Sequence, residues 1–183
     1  MAYCAGLRLA EIVGLELRDV DFEEGTIEVR DTKFFKSRRL PLSSSAVAAL
    51  RDYLVARRKA GASQEPLASL FVHEKGGYSH VTAGALLRDV IRRAGLRTGR
   101  GRGGPRIHDI RHTFVVHRIT QWYREGINPQ SRLQYLSTYL GHRDIYSTLI
   151  YLTITQELLQ HANDRFRAGE ADVRKAIQGG SQQ

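Results

Sequence analysis

Four glycines, Gly61, Gly95, Gly126 and Gly141, each follow a stretch in which apolar residues recur at helical spacing. Glycine just past a helix end adopts the left-handed turn that other residues resist, so this punctuation cuts the chain into a succession of short helices. Ser43 to Ser45 offer caps for a helix with Val47, Leu50 and Leu54 on one stripe, ending at Gly61. Thr82 is placed to cap the next, with Leu86, Leu87, Val90, Ile91 and Ala94 inward and Gly95 ending it. Residues 108–125 form the longest helical segment, and Asn128-Pro129 opens another with Leu133, Leu136 and Leu140 inside. A first helix carries Leu9, Ile12 and Val13, with Arg8 at its edge. Strand character is confined to residues 26–30 and 38–42, paired around the tip Lys33-Phe34-Phe35-Lys36, and to residues 69–73. The expected fold is therefore mixed α+β, mainly α-helical, with a small three-stranded antiparallel sheet. Residues 146–152 are short and ambiguous. Thr155 caps a last helix with Leu158, Leu159, Ala162 and Phe166 before a polar tail from Gly169.

Charge narrows the choice of partner. Lys and Arg number 28 against 19 Asp and Glu, for a formal net charge of +9. The excess is local: between Arg92 and Arg118 there are eight arginines and one acid, Asp109. Its centre, residues 97–105, reads RTGRGRGGP, too rich in glycine for helix or strand. Arg97, Arg100, Arg102 and Arg106 suit a loop laid on phosphates; a plain solvated linker is the alternative. Cys4 is the single cysteine, which excludes an intrachain disulfide and a cysteine-rich zinc cluster, and a reducing cytoplasm fits. No apolar run approaches the length of a membrane span, and no metal or cofactor site is expected.

The chemistry begins with His108 and Arg111, three residues apart and so on one helix face. A guanidinium fork can bind two phosphoryl oxygens at once, and a histidine beside it can exchange a proton near neutral pH. His142 closes Leu140-Gly141-His142, and Tyr151 follows nine residues later. Tyrosine, with a reference pKa of about 10, needs nearby cations to attack as phenolate. Taken alone, every one of these has a plain structural reading. Arg8 could be a helix-surface charge, Lys33 a solvated hairpin tip, Arg111 a buried partner of Asp109 or Glu11, His142 a helix cap and Tyr151 a core tyrosine.

Order and spacing together point further. Gly6-Leu7-Arg8-Leu9-Ala10-Glu11, Lys33 ahead of Arg38-Arg39-Leu40-Pro41-Leu42, His108-Asp109-Ile110-Arg111-His112-Thr113-Phe114, and Leu140-Gly141-His142 before Tyr151 occur in that succession. In this the chain resembles the catalytic domain of tyrosine recombinases, the phage integrase family. Trp122-Tyr123-Arg124-Glu125-Gly126 and Tyr151-Leu152-Thr153-Ile154-Thr155 are similar to recombinases carried by transposons and plasmids.

The resemblance implies site-specific recombination of double-stranded DNA through a 3′-phosphotyrosine. Arg8 and Arg111 would clamp the phosphate, Tyr151 attack it, and Lys33 protonate the leaving 5′ oxygen. Lys36 competes with Lys33 for that role. His108 would assist proton transfer and His142 hydrogen-bond the phosphate. Lys36 and Arg38 are also placed on DNA. The family further implies a homotetramer on DNA, with the last helix, residues 156–166, packed on a neighbour. Only seven residues precede Arg8. The expectation is a catalytic domain over residues 1–168 with a tail over 169–183, truncated at its start: either a fragment, from a mis-called start or a broken gene, or a chain whose missing N-terminal DNA-binding half is supplied by a separate chain or a full-length recombinase. A non-catalytic DNA-binding remnant and a type IB topoisomerase-like enzyme are the alternatives.

Overall fold

A computed structural model describes residues 1–30, 37–96, 105–142, 146–149, 160 and 163–167. Lys33, Lys36, Arg97, Arg100, Arg102 and Tyr151 lie outside the described residues, as does most of the expected last helix. The chain divides into two compact units. One comprises Met1–Phe114 with Tyr139–Gly141, the other Val115–Thr138 with His142–Gln183.

The first unit opens with α1 (Leu9–Val13), a single 3-10 turn (Leu17–Asp19) and β1 (Val20–Asp21). β2 (Thr26–Val29) and β3 (Arg38–Pro41) form the expected antiparallel hairpin, in a register that sets Ile27 opposite Leu40 and Glu28 opposite Arg39. Alternation explains the pairing: Ile27, Val29 and Leu40 are buried, whereas Arg39 and Pro41 face out. The third strand of this sheet is β1, paired with β2 through Val20 and Ile27, and not residues 69–73. Two residues are too few to show a period. Val72–His73 (β4) pairs instead with Gly76–Gly77 (β5) as a separate two-stranded ribbon.

Helix α2 (Ser44–Lys59) is capped by Ser43, whose side chain accepts the Ala46 N–H, and the chain leaves it through Gly61 at φ +73°. It lays Leu50 on a core of Ala5, Leu7, Leu15, Ile27, Val29, Leu40 and Leu70, all almost fully buried. Arg57 is also buried here, donating to the carbonyls of Ser63, Ser69 and Leu70. Its charge is thus met by peptide dipoles, which is what burial of a cation without a carboxylate requires.

Helix α3 (His80–Arg93) starts one turn earlier than expected, because Ser79 and not Thr82 supplies the cap; its side chain accepts the Thr82 N–H at 3.1 Å. Its inward face is also different. Ala83, Gly84 and Ile91 are buried, while Leu86 and Val90 are 46% and 51% exposed. Small residues let α1 approach closely: a side-chain carbon at Gly84 would already touch Leu9.

Helix α4 (Ile107–Arg124) begins in the first unit and ends in the second, where Val115 and Ile119 are fully buried. A 3-10 turn (Pro129–Arg132), capped by Asn128, leads into α5 (Leu133–Leu140), which buries Leu133, Leu136 and Leu140 as its spacing requires. Gly141, at φ +64°, turns the chain out of α5, and the His142 N–H reaches back to the Ser137 carbonyl at 3.0 Å, the closing bond of a Schellman cap. A short α6 (Tyr146–Leu149) comes next. Among the described residues no helix is long and apolar enough to cross a membrane.

One turn is unusually constrained. Gly6 has φ +59°, and a side-chain carbon there would fall 2.7 Å from Phe114 Cδ1 and 3.1 Å from Leu140 Cδ2. Both the backbone conformation and the space exclude a larger residue. Gly6→Ala is therefore expected to cost about 1–3 kcal/mol, read as a lower urea unfolding midpoint with an unchanged slope.

Candidate active site

Arg8 stands at the N-cap of α1, and Glu11, three residues on, reaches back to it. The carboxylate takes the Arg8 N–H at 2.8 Å and the Arg8 Nη1 at 2.9 Å. This is half of a capping box used to aim a guanidinium, and it explains why the Gly-Leu-Arg segment is followed by a glutamate at this spacing. Arg8 Nη2 also donates to the Gly141 carbonyl at 3.2 Å, and Nη1 lies 3.4 Å from that of Leu140. Its side chain is 38% exposed, so part of the fork faces solvent.

Arg111 sits on the first turns of α4 and is buried. It donates through Nη1 to the Gly6 carbonyl and through Nη2 to the Leu140 carbonyl at 2.7 Å, and Nη1 lies 3.9 Å from Glu11 Oε2. Arg8 and Arg111 thus share the Leu140 carbonyl and the same carboxylate. The plain reading of Arg111 as a partner of Glu11 holds as geometry, and it leaves the guanidinium beside that of Arg8. The two are joined on one cleft of about 610 Å³, whose lining includes Arg8, Arg88, Arg106, Ile107, His108 and Arg111.

His108 stands on this cleft wall with its side chain exposed. Partial desolvation pulls its pKa below the ordinary 6.5, and the neighbouring His112 and Arg111 add to the effect against the opposing charge of Asp109. At neutral pH the ring is therefore uncharged and able to accept a proton. Its edge meets the His112 ring, with centroids 5.2 Å apart.

Arg106 is 73% exposed and paired with Asp109, whose carboxylate also takes the Arg106 N–H at 2.7 Å. From the sequence alone Arg38 is expected on DNA. Its side chain is 11% exposed and points inward, with Nε donating to the Tyr139 carbonyl at 2.9 Å and Nη2 3.1 Å from Glu11 Oε1. The pleat is the reason. Arg38 and Leu40 share the inner face of β3, and Arg39 takes the outer one. Sequence reasoning missed two further cleft residues, His80 and Arg88, which α3 brings in; with the start of α3 placed at Thr82, His80 lay before the helix and Arg88 off its assigned apolar face.

In the second unit His142 is half-buried, and its Nδ1 lies 2.8 Å from Oγ1 of the fully buried Thr148, a bond that orients the ring. Thr148 was not singled out in the sequence; a threonine six residues past a histidine carries no signal of its own.

The sequence matches the phage integrase family over residues 1–161. This chain is a member of the phage integrase family. A putative integrase/recombinase of Sinorhizobium fredii, y4rB, is 42% identical over 88% of this chain and 52% of its own length. The tyrosine recombinase XerC of Oceanobacillus iheyensis is 32% identical over 88% of this chain and 50% of its own. Among solved structures, the XerA recombinase superposes with a TM-score of 0.70 at 28% identity, over 91% of this chain and 54% of that one. The fold agrees as well with the Tn1549 transposon integrase, at a TM-score of 0.62 and 23% identity. The chain thus spans about half the length of the relatives it matches.

The Glu11 carboxylate has a consequence that can be measured. Burial raises its pKa, but the Arg8 N–H and the charges of Arg38 and Arg8 outweigh that and hold it below the ordinary 4.5. A carboxylate with a lowered folded pKa contributes stability that is present above its unfolded value and lost as pH falls through the folded one. In urea unfolding measured against pH, the stability advantage of the wild type over Glu11→Gln is expected to be constant above about 4.5 and to shrink steadily below it.

Proposed function

We propose that this chain is the catalytic portion of a tyrosine-type site-specific DNA recombinase, cutting and rejoining DNA through a 3′-phosphotyrosine. The observation that carries the reading is the pairing of Arg8 and Arg111 on one carbonyl and one carboxylate, with His108 on the same cleft, in a member of the phage integrase family. Charge supports it. Among the described residues, Arg8, Arg38 and Arg111 all face the carboxylate of Glu11, which gathers three guanidiniums about one acid. A phosphodiester brings one negative charge and the pentacoordinate transition state two, so such a cluster stabilises the second more than the first.

In this reading the Tyr151 oxygen attacks phosphorus and its proton passes to the neutral His108. The bond from phosphorus to the 5′ oxygen breaks, and Lys33 protonates that oxygen to give a free 5′-hydroxyl. His142 donates to a non-bridging oxygen. Attack by a 5′-hydroxyl from another duplex reverses the sequence and frees Tyr151, so the number of phosphodiesters is conserved. Lys33, His142 and Tyr151 take these roles from their motif positions.

The basic stretch from Arg92 to Arg118, with Arg106 and Arg88 exposed at the cleft, provides the charge that duplex DNA would engage. Exchange between two duplexes breaks four strands, which calls for four such chains. The last segment, which holds Phe166 with 67% of its surface exposed, is the part assigned to packing on a neighbour.

Covalent capture tests the proposal. The chain is incubated with a pool of nicked duplexes of randomised sequence, so that cleavage releases a short fragment and traps the adduct. Wild-type protein is expected to retain labelled DNA after denaturation, and Tyr151→Phe to retain none. Retention by Tyr151→Phe rejects the nucleophile, and no retention by the wild type rejects the activity of this chain. On a captured duplex, Arg111→Ala is expected to slow adduct formation on the order of a hundredfold or more. The acid limb of the wild-type rate profile should have its midpoint below 6.5, and His108→Gln should remove that limb.

A further inference from the structure

Arg38 is only 11% exposed and does not line the cleft, yet it touches both supports on which Arg8 and Arg111 rest. One support is Glu11, 3.1 Å from Arg38 Nη2, which also binds Arg8 through the backbone and through Nη1. The other is the Tyr139–Leu140–Gly141 run that ends α5. Arg38 Nε donates to the Tyr139 carbonyl at 2.9 Å, Arg111 to the Leu140 carbonyl at 2.7 Å, and Arg8 to the Gly141 carbonyl at 3.2 Å. Gly141 is bare on the side where the Arg38 guanidinium lies: a side-chain carbon there would fall 2.7 Å from Nη1. Only a planar fork can serve a carbonyl and a carboxylate in different directions at once, since an ammonium has its donors at one point.

We propose that Arg38 is a positioning residue of the phosphate-gripping arginines, locking Glu11 to the Tyr139–Gly141 carbonyls so that Arg8 and Arg111 hold the separation the reaction needs. The proposal rests on the recombinase reading above and adds to it a residue that neither meets DNA nor reacts. A displacement of about 1 Å in a clamp of this kind can cost on the order of a hundredfold in rate. Loss of Arg38 therefore acts on the chemical step and spares DNA affinity.

The test uses Arg38→Met, which keeps the stem and loses every donor, and Arg38→Lys, which keeps one cation. Both are assayed in the full chain on a duplex recovered by covalent capture and on the same duplex with a methylphosphonate at the scissile position. A methyl there replaces one non-bridging oxygen and removes the negative charge, so it asks less of the guanidiniums. Expected for Arg38→Met are a fall in single-turnover cleavage on the order of a hundredfold, a DNA Kd within about threefold of wild type, and a loss at least about tenfold smaller on the methylphosphonate. Arg38→Lys should lie between. An equal loss on both substrates would mark Arg38 as generally structural, a parallel loss in Kd would make it a DNA contact, and unchanged cleavage would remove it from the site; each overturns the proposal.

A second measurement does not need cleavage. The Glu11 carboxyl, which faces Arg8, Arg38 and Arg111, is titrated by carbon NMR in whichever variant folds. It should titrate at higher pH than in the wild type, and an unchanged titration overturns the proposal. Wild-type protein that captures no DNA refutes the recombinase reading, and the titration then still decides whether Arg38 holds Glu11.

Discussion

Among the described residues, three guanidiniums about one carboxylate form the arrangement on which the rest of this structure depends. Buried cations cost several kcal/mol each unless their donors are met, and Glu11 alone cannot meet Arg8, Arg38 and Arg111. The balance comes from backbone carbonyls at the end of α5, where the helix dipole is negative and the last carbonyls have no partner within the helix. A helix terminus that needs donors is thereby set against arginines that need acceptors. Peptide dipoles offset desolvation without cancelling charge.

That arrangement asks for two bare positions in the chain. Gly6 must turn left-handed to bring its carbonyl to Arg111 between Phe114 and Leu140, and Gly141 must do the same to end α5 under the Arg38 guanidinium. Each glycine stands within two residues of a side chain that the proposed mechanism uses, Arg8 in one case and His142 in the other. Backbone freedom and site chemistry are coupled here. The same turn that presents a carbonyl also sets the direction of the next functional residue.

Much of the local structure was legible because it rests on local physics. Gly61, Gly95, Gly126 and Gly141 all have positive φ, Ser43 caps α2, Asn128 caps the turn before α5, and the hairpin pairs as its alternation required. Where the reading failed, the deciding partner lay on another element. β1 has two residues and is a strand only because Ile27 lies beside Val20. The buried face of α3 is its small one, Ala83 and Gly84, because α1 comes close; hydrophobicity alone favoured Leu86 and Val90, which are exposed. Arg38 looked like another cation of a basic chain.

Taken by itself, the order of residues determined the motifs, their succession and the identity of the groups able to handle a phosphate, since those depend on residue type and spacing. Tertiary structure alone decided which arginine faces the cleft, which one lies beneath it, and which carbonyls hold them. A charge reads the same in a sequence whether it is solvated or buried. Only the partners brought in from more than a hundred residues away, Tyr139 to Arg38 and Gly6 to Arg111, decide between the two.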